Sequence, residues 1–250
     1  MSASVTAAGS SPAPLRVGVL ECDHVDDRHR TIAGDTVDML AALLAPHAPG
    51  LELVPYDVIG GALPADPREC DGWICPGSRH SVYDELAWIE GLSAFVRGVR
   101  DAGVPFVGIC FGHQLLAHAL GGRVAKATTG WGAGRQTLVV DRPEPWMDPP
   151  AGKLALHYMH QDQVEELPPG GVVLGRADHC PVALIRVRDT MVGIQPHPEF
   201  PAAYVDALLA ERVARIGDAE VAAARAGLSQ PTDEATVGRW FARVLHGGAA

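Results

Sequence analysis

Residues 104–109 form an almost uninterrupted apolar run that leads directly into Gly-Ile-Cys-Phe-Gly-His-Gln at residues 108–114. A short apolar run of this kind is typical of a strand buried on both faces, as in the centre of a parallel sheet. The residues that follow fit a helix that continues through Leu120. The segment therefore predicts a strand, a sharp turn and a helix, which is a unit of α/β proteins.

The remaining sequence alternates short apolar runs with helical patterns. Strands are expected at residues 15–20, 51–56, 72–75, 136–140, 154–158, 172–174, 182–187 and 191–195. Asp35 is the expected N-cap of one helix, and Asp84 is the expected N-cap of the helix that ends at Gly103. A last helix begins near Thr232 and places Trp240 and Phe241 on one apolar face. We expect that face to pack on the protein's own core, with a partner-docking surface as the alternative.

Composition limits the classes of partner. The chain has 250 residues, of which 47% are hydrophobic, enough for the core of one domain. Its formal net charge of -10 disfavours nucleic-acid binding, which relies on clustered Lys and Arg. No apolar run is long enough to span a bilayer, so we expect no membrane partner. Five cysteines without C-x-x-C spacing indicate neither a disulfide framework nor a thiolate zinc site, and they favour a cytoplasmic location.

Cys110 is the candidate nucleophile. A thiol attacks a carbonyl as the thiolate, and the positive end of a helix dipole stabilises that anion. Gly108 and Gly112 flank the cysteine, as expected for a nucleophile on a strained strand-to-helix turn, and the backbone N–H of Phe111 would face the developing oxyanion. Taken alone, the same residues also fit a buried structural cysteine at a strand end.

Two further segments favour catalysis. Gln-Pro-His-Pro-Glu-Phe at residues 195–200 places His197 between prolines after an apolar strand, where it could move protons while Glu199 orients its ring. The turn at Pro76-Gly77 follows another expected strand, and a backbone N–H at Gly77 could supply a second oxyanion donor. In an open parallel sheet these strand ends share the edge that carries Cys110. Each segment alone also fits an ordinary surface turn.

Taken together, residues 108–114, 196–199 and the Pro76-Gly77 turn resemble the class I, or triad-type, glutamine amidotransferase family. The resemblance covers residues 15–212 and implies an α/β fold of the flavodoxin-like type, an open, mostly parallel sheet with helices on both faces. It also implies a triad of Cys110, His197 and Glu199 that hydrolyses the side-chain amide of glutamine through a γ-glutamyl thioester and releases ammonia. Within the family the chain looks similar to the amidotransferase domain of GMP synthase and to γ-glutamyl peptidases.

The same resemblance suggests substrate-binding positions. Gln114 matches a family glutamine that helps to bind the substrate, and the backbone near Met159 and His160 would meet its α-amino and α-carboxylate ends. Ser78 stands where most members have glycine, a change that retains the backbone donor and adds bulk beside the carbonyl site. His157 and His160 could be taken for metal ligands, but three residues along a strand put side chains on opposite faces, so we expect no metal.

The sequence offers no other cofactor site. Residues 130–134, Gly-Trp-Gly-Ala-Gly, lack the spacing of a phosphate-binding loop, and we expect a flexible loop over the site with Trp131 as a lid or packing residue. We therefore expect no cofactor and a small-molecule substrate. The expected organisation is a disordered arm at residues 1–14, the amidotransferase domain at 15–212, and a helical extension at 213–250 packed on that domain.

Three hypotheses about function remain. The chain could be a glutaminase that docks on a synthetase partner chain, since no G-x-x-x-x-G-K-[ST] motif for nucleotide binding occurs in it. It could instead be an independent hydrolase of γ-glutamyl peptides or conjugates, with the same thioester chemistry. The third hypothesis is a regulatory or binding module without catalysis, which the presence of Cys110, His197 and Glu199 disfavours.

Overall fold

A computed structural model of the chain describes residues 14–248. The strands are β1 (Arg16–Glu21), β2 (Glu52–Asp57), β3 (Gly72–Cys75), β4 (Phe106–Ile109), β5 (Arg123–Lys126), β6 (Gly132–Val140), β7 (Lys153–His160), β8 (Asp162–Glu166), β9 (Gly171–Arg176), β10 (Leu184–Val187) and β11 (Met191–Ile194). The helices are α1 (Arg30–Ala33), α2 (Thr36–Leu44), α3 (Ala87–Ala102), α4 (Phe111–Ala119), α5 (Ala202–Ile216), α6 (Asp218–Ala226) and α7 (Glu234–Leu245). The predicted N-terminal arm lies, except for residue 14, outside the described residues.

Nine strands form one sheet in the order β2-β1-β3-β4-β11-β10-β9-β6-β7. The pairings among β2, β1, β3, β4 and β11 are parallel, and we call these five strands the parallel half. The pairings from β11 through β10, β9 and β6 to β7 are antiparallel, and β10, β9, β6 and β7 make the antiparallel half. The predicted open sheet with a parallel centre is confirmed.

Helices cover both faces of this sheet, as predicted. On one face, α2 and α7 pack on the strands around a core that includes Trp146 and Trp240. On the other face, α3 and α4 pack around Trp73 and Phe111. Trp240 and Phe241 are each only 1% exposed, so the apolar face of α7 belongs to the core and is not a docking surface.

The strand, turn and helix around Cys110 are confirmed. β4 is buried along its whole length, and α4 begins directly after Cys110. Asp35 caps α2 as predicted, because its side chain accepts from the Thr36 N–H while Asp38 accepts from the backbone N–H of Asp35. This reciprocal arrangement satisfies amide groups that the first helical turn leaves unpaired.

The predicted cap at Asp84 is wrong. α3 begins after Leu86, and the Asp84 carboxylate instead accepts a hydrogen bond from the Ser81 N–H in the preceding turn. Leu86 has extended backbone torsions and supplies no side-chain cap. The aspartate therefore stabilises the loop before the helix, because a side chain this short can satisfy only a nearby amide.

The second half of the chain holds strands that the pattern did not predict. β5 and β8 pair with each other as a separate two-stranded sheet, and most of their residues are polar or exposed. β6 begins at Gly132, so part of the segment expected to be a flexible loop is paired with β7. α5 runs from Ala202 to Ile216, so the domain boundary expected after residue 212 falls inside a helix. Within residues 14–248, no helix is long and apolar enough to cross a membrane.

Candidate active site

Cys110 occupies a strained turn between β4 and α4. Its φ of 51° and ψ of -100° lie in a region that residues with side chains rarely adopt. The Cys110 N–H donates to the Ile194 carbonyl at 2.9 Å, which fixes the turn to the neighbouring β11. The side chain is 6% exposed and lies at the N-terminus of α4, where the helix dipole favours an anion.

Close backbone packing explains the two glycines of the turn. A Cβ at Gly112 would lie 1.9 Å from the Cys75 carbonyl oxygen, and a Cβ at Gly108 would lie 2.4 Å from the Gly112 carbonyl oxygen. Neither position has room for a side chain, since a carbon atom cannot lie so close to a carbonyl oxygen. The glycines therefore let the turn pack against the end of β3.

The Pro76-Gly77 turn meets the nucleophile turn from the side of β3. The Gly112 N–H donates to the Pro76 carbonyl at 3.2 Å. Within residues 14–248, the N–H groups of Gly77 and Phe111 have no hydrogen-bond acceptor, as an oxyanion hole requires before substrate binds. A Cβ at Gly77 would lie 2.8 Å from His197 Cε1, so the glycine also makes room for the imidazole ring.

His197 and Glu199 form a buried pair beside this turn. The His197 Nδ1–H donates to Glu199 Oε1 at 2.8 Å, and the two residues are 4% and 5% exposed. The ring of Phe200 stacks on the imidazole at 3.9 Å between centroids, and the His197 N–H donates to the His157 carbonyl at 2.8 Å. These contacts fix both the ring plane and the tautomer, leaving Nε2 for proton transfer.

The electrostatics of the pair favour a charged imidazole. Burial lowers the pKa of His197, but the negative charges of Glu199 and Cys110 outweigh burial and raise that pKa to about 10. The His197 imidazole can therefore carry a proton at neutral pH and act as a proton donor beside Cys110.

Two adjoining cavities open beside Cys110. The Gln114 cavity has a volume of about 110 Å³ and is lined by Gln114, Trp131, His160, Asp162 and several cationic side chains. The His197 cavity has a volume of about 50 Å³ and is lined by Gly77, His197, Phe200, Tyr204 and Leu208 among others. Five residues line both cavities: Ser78, Arg79, Cys110, Met159 and Arg212. A substrate attacked at Cys110 can therefore extend in two directions.

Gln114 is held with its amide oxygen free. Its Nε2 donates to the Asp162 carbonyl at 2.8 Å and to Gln195 Oε1 at 3.1 Å, which uses both amide hydrogens. The side chain is 3% exposed, and the residue lines the Gln114 cavity. The remaining oxygen can accept a hydrogen bond from an ammonium group in that cavity.

The other predicted substrate residues also lie around Cys110. Met159 lines both cavities, and His160 lines the Gln114 cavity. The Ser78 hydroxyl donates to the Cys22 carbonyl at 2.9 Å and accepts from the His80 N–H, so it stabilises the turn. Burial lowers the pKa of His160 to about 3 and keeps its ring neutral. Ser78 also lines both cavities.

Four cationic residues at the cleft were missed from the sequence: Arg79, Lys126, Arg212 and Arg215. Their signal is weak because isolated Arg and Lys residues are common on exposed surfaces. For Arg212 the sequence offers one clue to its place in the cleft. It lies eight residues, or about two helical turns, after Tyr204, which is the second aromatic residue after the His-Pro-Glu segment. The cleft is thus locally basic although the chain is acidic overall.

Trp131 is half-buried and packs beneath Arg215. The guanidinium carbon of Arg215 lies 5.2 Å from the centre of the Trp131 ring, within the range of a cation–π contact. Trp131 also lines the Gln114 cavity. Of the two roles expected for this residue, a lid or a packing residue, the geometry shows packing.

One cluster has the composition of a metal site. Ligand atoms of Glu21, His24 and Asp35 lie within 4.8 Å of one another. Asp35, however, caps α2 and forms an ion pair with Arg30 at 2.9 Å. These bonds account for the cluster as part of the protein's own ion-pair network. His157 and His160 have separate partners, the carbonyls of Phe200 and Asp162.

Sequence comparison identifies a family whose model covers the part of the chain that holds Cys110, His197 and Glu199. The model of the family described as "Glutamine amidotransferase class-I" matches residues 45–212. γ-Glutamyl peptidase 2 of Arabidopsis thaliana is 32% identical over 151 residues, 58% of this chain and 60% of that relative. The glutamine-hydrolysing GMP synthase of Thermomicrobium roseum is 39% identical over 150 residues, 59% of this chain and 26% of that relative. The matched region thus spans less than two thirds of either relative.

Solved structures agree with the fold. A glutamine amidotransferase from Methylobacillus flagellatus superposes with a TM-score of 0.66 at 24% identity, covering 94% of each chain. A glutamine amidotransferase from Thermotoga maritima superposes with a TM-score of 0.70 at 18% identity, covering 94% of this chain and 97% of the other. At these identities the likeness establishes the architecture.

Proposed function

The chain belongs to the class I glutamine amidotransferase family, and from this premise we propose that it hydrolyses a γ-glutamyl amide through a thioester on Cys110. The observation that carries the proposal is the convergence of Cys110, the His197–Glu199 pair and two free backbone N–H groups at one edge of the sheet. These groups supply a nucleophile, a proton carrier and an oxyanion site.

The proposed reaction has two halves. The Cys110 thiolate attacks the γ-carbonyl carbon, and the resulting oxyanion accepts hydrogen bonds from the N–H groups of Gly77 and Phe111. The tetrahedral intermediate then loses the amine, which leaves with a proton from the His197 Nε2. Water next attacks the thioester carbonyl, His197 accepts a proton from that water, and glutamate leaves as the thiolate reforms.

Gln114 supports the choice of a glutamyl group. Its free amide oxygen can accept a hydrogen bond from an ammonium group, and Lys126, Arg212 and Arg215 make the cleft attractive to carboxylates. A γ-glutamyl group carries one ammonium and one α-carboxylate, so it matches both features. Met159 and His160 line the same cavity.

Glutamine is the first candidate substrate, with ammonia as the product of the amine-leaving step. A γ-glutamyl peptide is the second, and two observations favour it: the similarity to γ-glutamyl peptidases and the second cavity beside His197, where a leaving group larger than ammonia could lie. We also propose the cytoplasm as the setting, supported by the five free cysteines.

A synthetase partner is a further proposal, supported by the similarity to GMP synthases, in which the matched region is about a quarter of the relative. In that case ammonia would pass to the partner chain. The alternative of a non-catalytic module is disfavoured because His197 and Glu199 form a buried hydrogen-bonded pair and Cys110 lines the same cavity as His197.

The test is to assay purified protein for ammonia release from glutamine and for glutamate release from γ-glutamylglycine. Cys110→Ala should lower both by at least about 10⁴-fold, since the nucleophile is removed. Cys70→Ala, at a buried cysteine that precedes β3 and lines neither cavity, is the matched control and should retain activity. Full activity in Cys110→Ala would overturn the mechanism. Activity on glutamine that rises only after a synthetase is added would support the partner hypothesis.

A further inference from the structure

Arg212 is a half-buried cation at the junction of the two cavities. Within residues 14–248, no carboxylate lies within 4.0 Å of its guanidinium, and no hydrogen-bond acceptor is in contact with it. The neighbouring acid, Glu211, is already paired with Arg28 and His29 on the outer side of α5. Buried charges are usually paired, so an unpaired guanidinium in a cleft is a feature that needs explanation.

Arg79, the other arginine that lines both cavities, shows the contrast. Its Nε donates to both carboxylate oxygens of Asp23, at 2.9 and 2.8 Å, and its Nη2 donates to the His24 carbonyl at 3.1 Å. Arg79 is therefore neutralised within the protein. Arg212 has a comparable position in the cleft and its donors remain free.

The position of Arg212 on α5 points it toward the side of His197. Tyr204, Leu208 and Arg212 follow one another at intervals of four residues, so they lie on one face of the helix, and all three line the His197 cavity. Tyr204 packs on Phe200, which in turn stacks on His197. This face of α5 therefore lies next to His197, the residue proposed to donate a proton to the leaving amine.

The electrostatics at Arg212 favour binding of an anion. Burial, together with the charge of Arg215, lowers the pKa of Arg212 below the usual value for a guanidinium. A bound carboxylate would offset both effects, and the planar guanidinium can donate two parallel hydrogen bonds to it.

We propose that Arg212 binds a carboxylate on the leaving-group side of the substrate, which makes the α-carboxylate of the residue after the γ-glutamyl group a specificity determinant. The inference rests on the proposed γ-glutamyl hydrolysis. It names the substrate class as γ-glutamyl amino acids or peptides and disfavours glutamine, whose leaving group is ammonia. Arg212 acts in binding, and the chemical step stays with Cys110 and His197.

The experiment compares two substrates that differ only in this carboxylate, γ-glutamylglycine and γ-glutamyl methylamide. We expect the protein to have a kcat/KM for γ-glutamylglycine roughly 10- to 100-fold above that for the methylamide, as for a charge-assisted bidentate contact. Arg212→Gln should reduce this ratio to near one. Arg215→Gln removes the same charge from the same helix, but Arg215 lines only the Gln114 cavity, so the ratio should largely remain.

Two results would overturn the inference. Equal losses on both substrates in Arg212→Gln would assign the arginine to the γ-glutamyl half, and an equal fall of the ratio in Arg215→Gln would indicate general attraction of anions. If neither substrate is hydrolysed, the proposed function fails, and calorimetric binding to Cys110→Ala tests the inference separately. Tighter binding of γ-glutamylglycine that Arg212→Gln abolishes would support it, while equal or absent binding of both ligands would refute it.

Discussion

In the parallel half of the sheet, backbone packing holds the reactive groups, whereas in the antiparallel half and on α5, side chains around an open cleft provide recognition. Beside Cys110, a Cβ at Gly112 would lie 1.9 Å from the nearest atom, and a Cβ at Gly77 would lie 2.8 Å from one. The His197–Glu199 pair next to them is buried. Trp131, directly before β6, and Arg212, on α5, are half-buried. We therefore expect substitutions near the reactive groups to be poorly tolerated, whereas substitutions in the cleft should mainly change which substrate is preferred.

After loss of the nucleophile itself, the largest effect is expected from the carboxylate of the triad. Glu199→Gln keeps the size of the side chain but removes the charge that raises the pKa of His197, and the amide can also present the wrong group to Nδ1. We expect kcat to fall by roughly 10³-fold, with a lower pKa for His197 by NMR titration. Glu165→Gln, at an exposed carboxylate of the small sheet, is the matched control. A loss in Glu199→Gln smaller than tenfold would contradict the role of Glu199.

A second prediction compares glycines from the two halves. Gly112→Ala should lower the free energy of unfolding by about 3 kcal/mol, because the new Cβ would overlap the Cys75 carbonyl oxygen and force backbone movement. Gly152→Ala, just before β7, has no atom within 4 Å of the added Cβ and should change it by less than about 0.5 kcal/mol. Urea unfolding of both variants measures the difference. Similar changes in unfolding free energy for the two variants would contradict the proposed difference between the two halves.

A third prediction concerns the seam between the halves, where His113 of α4 donates from Nε2 to the Val182 carbonyl before β10. Burial lowers the pKa of His113 to about 4, below the value of 6.5 for an exposed histidine. Between these pH values the unfolded chain binds a proton that the folded chain does not. The free energy of unfolding should therefore fall on acidification through this window, by up to about 1.4 kcal/mol per pH unit for this residue.

Variants of two histidines on the same helix measure this contribution. His113→Gln should flatten the dependence of the unfolding free energy on pH between 6.5 and 4, since the titrating group is gone. His118→Gln, at an exposed position of α4, should leave it unchanged. An unchanged slope in His113→Gln would show that the acid sensitivity lies elsewhere.

The smallest effect is expected in the antiparallel half. Trp131→Leu removes the ring beneath Arg215 and part of the wall of the Gln114 cavity. We expect KM for a γ-glutamyl substrate to rise about threefold, as for the loss of a partly exposed cation–π contact, with kcat little changed. Steady-state kinetics separates the two parameters. A large fall in kcat at constant KM would instead place Trp131 in the chemical step.

The same division explains what could be predicted from the sequence. The turn at Cys110 was predictable because its strand is a continuous apolar run and its glycines are required by contacts that any such turn must make. β5 and β8 were not, since their polar, exposed residues pair only with each other. Arg212 could not be found, because a charged residue on a helix does not reveal whether it faces solvent or a cleft. That orientation depends on where α5 packs.

Acid trapping of the acyl-enzyme shows whether Cys110 is the residue that attacks the substrate. The protein is mixed with γ-glutamylglycine, quenched in acid within a turnover and analysed by intact-mass and peptide mass spectrometry. The account predicts that the peptide containing Cys110 gains the mass of one γ-glutamyl group, and that Cys110→Ala shows no such species. Product formation without an adduct on Cys110, or with an adduct on another residue, would contradict it.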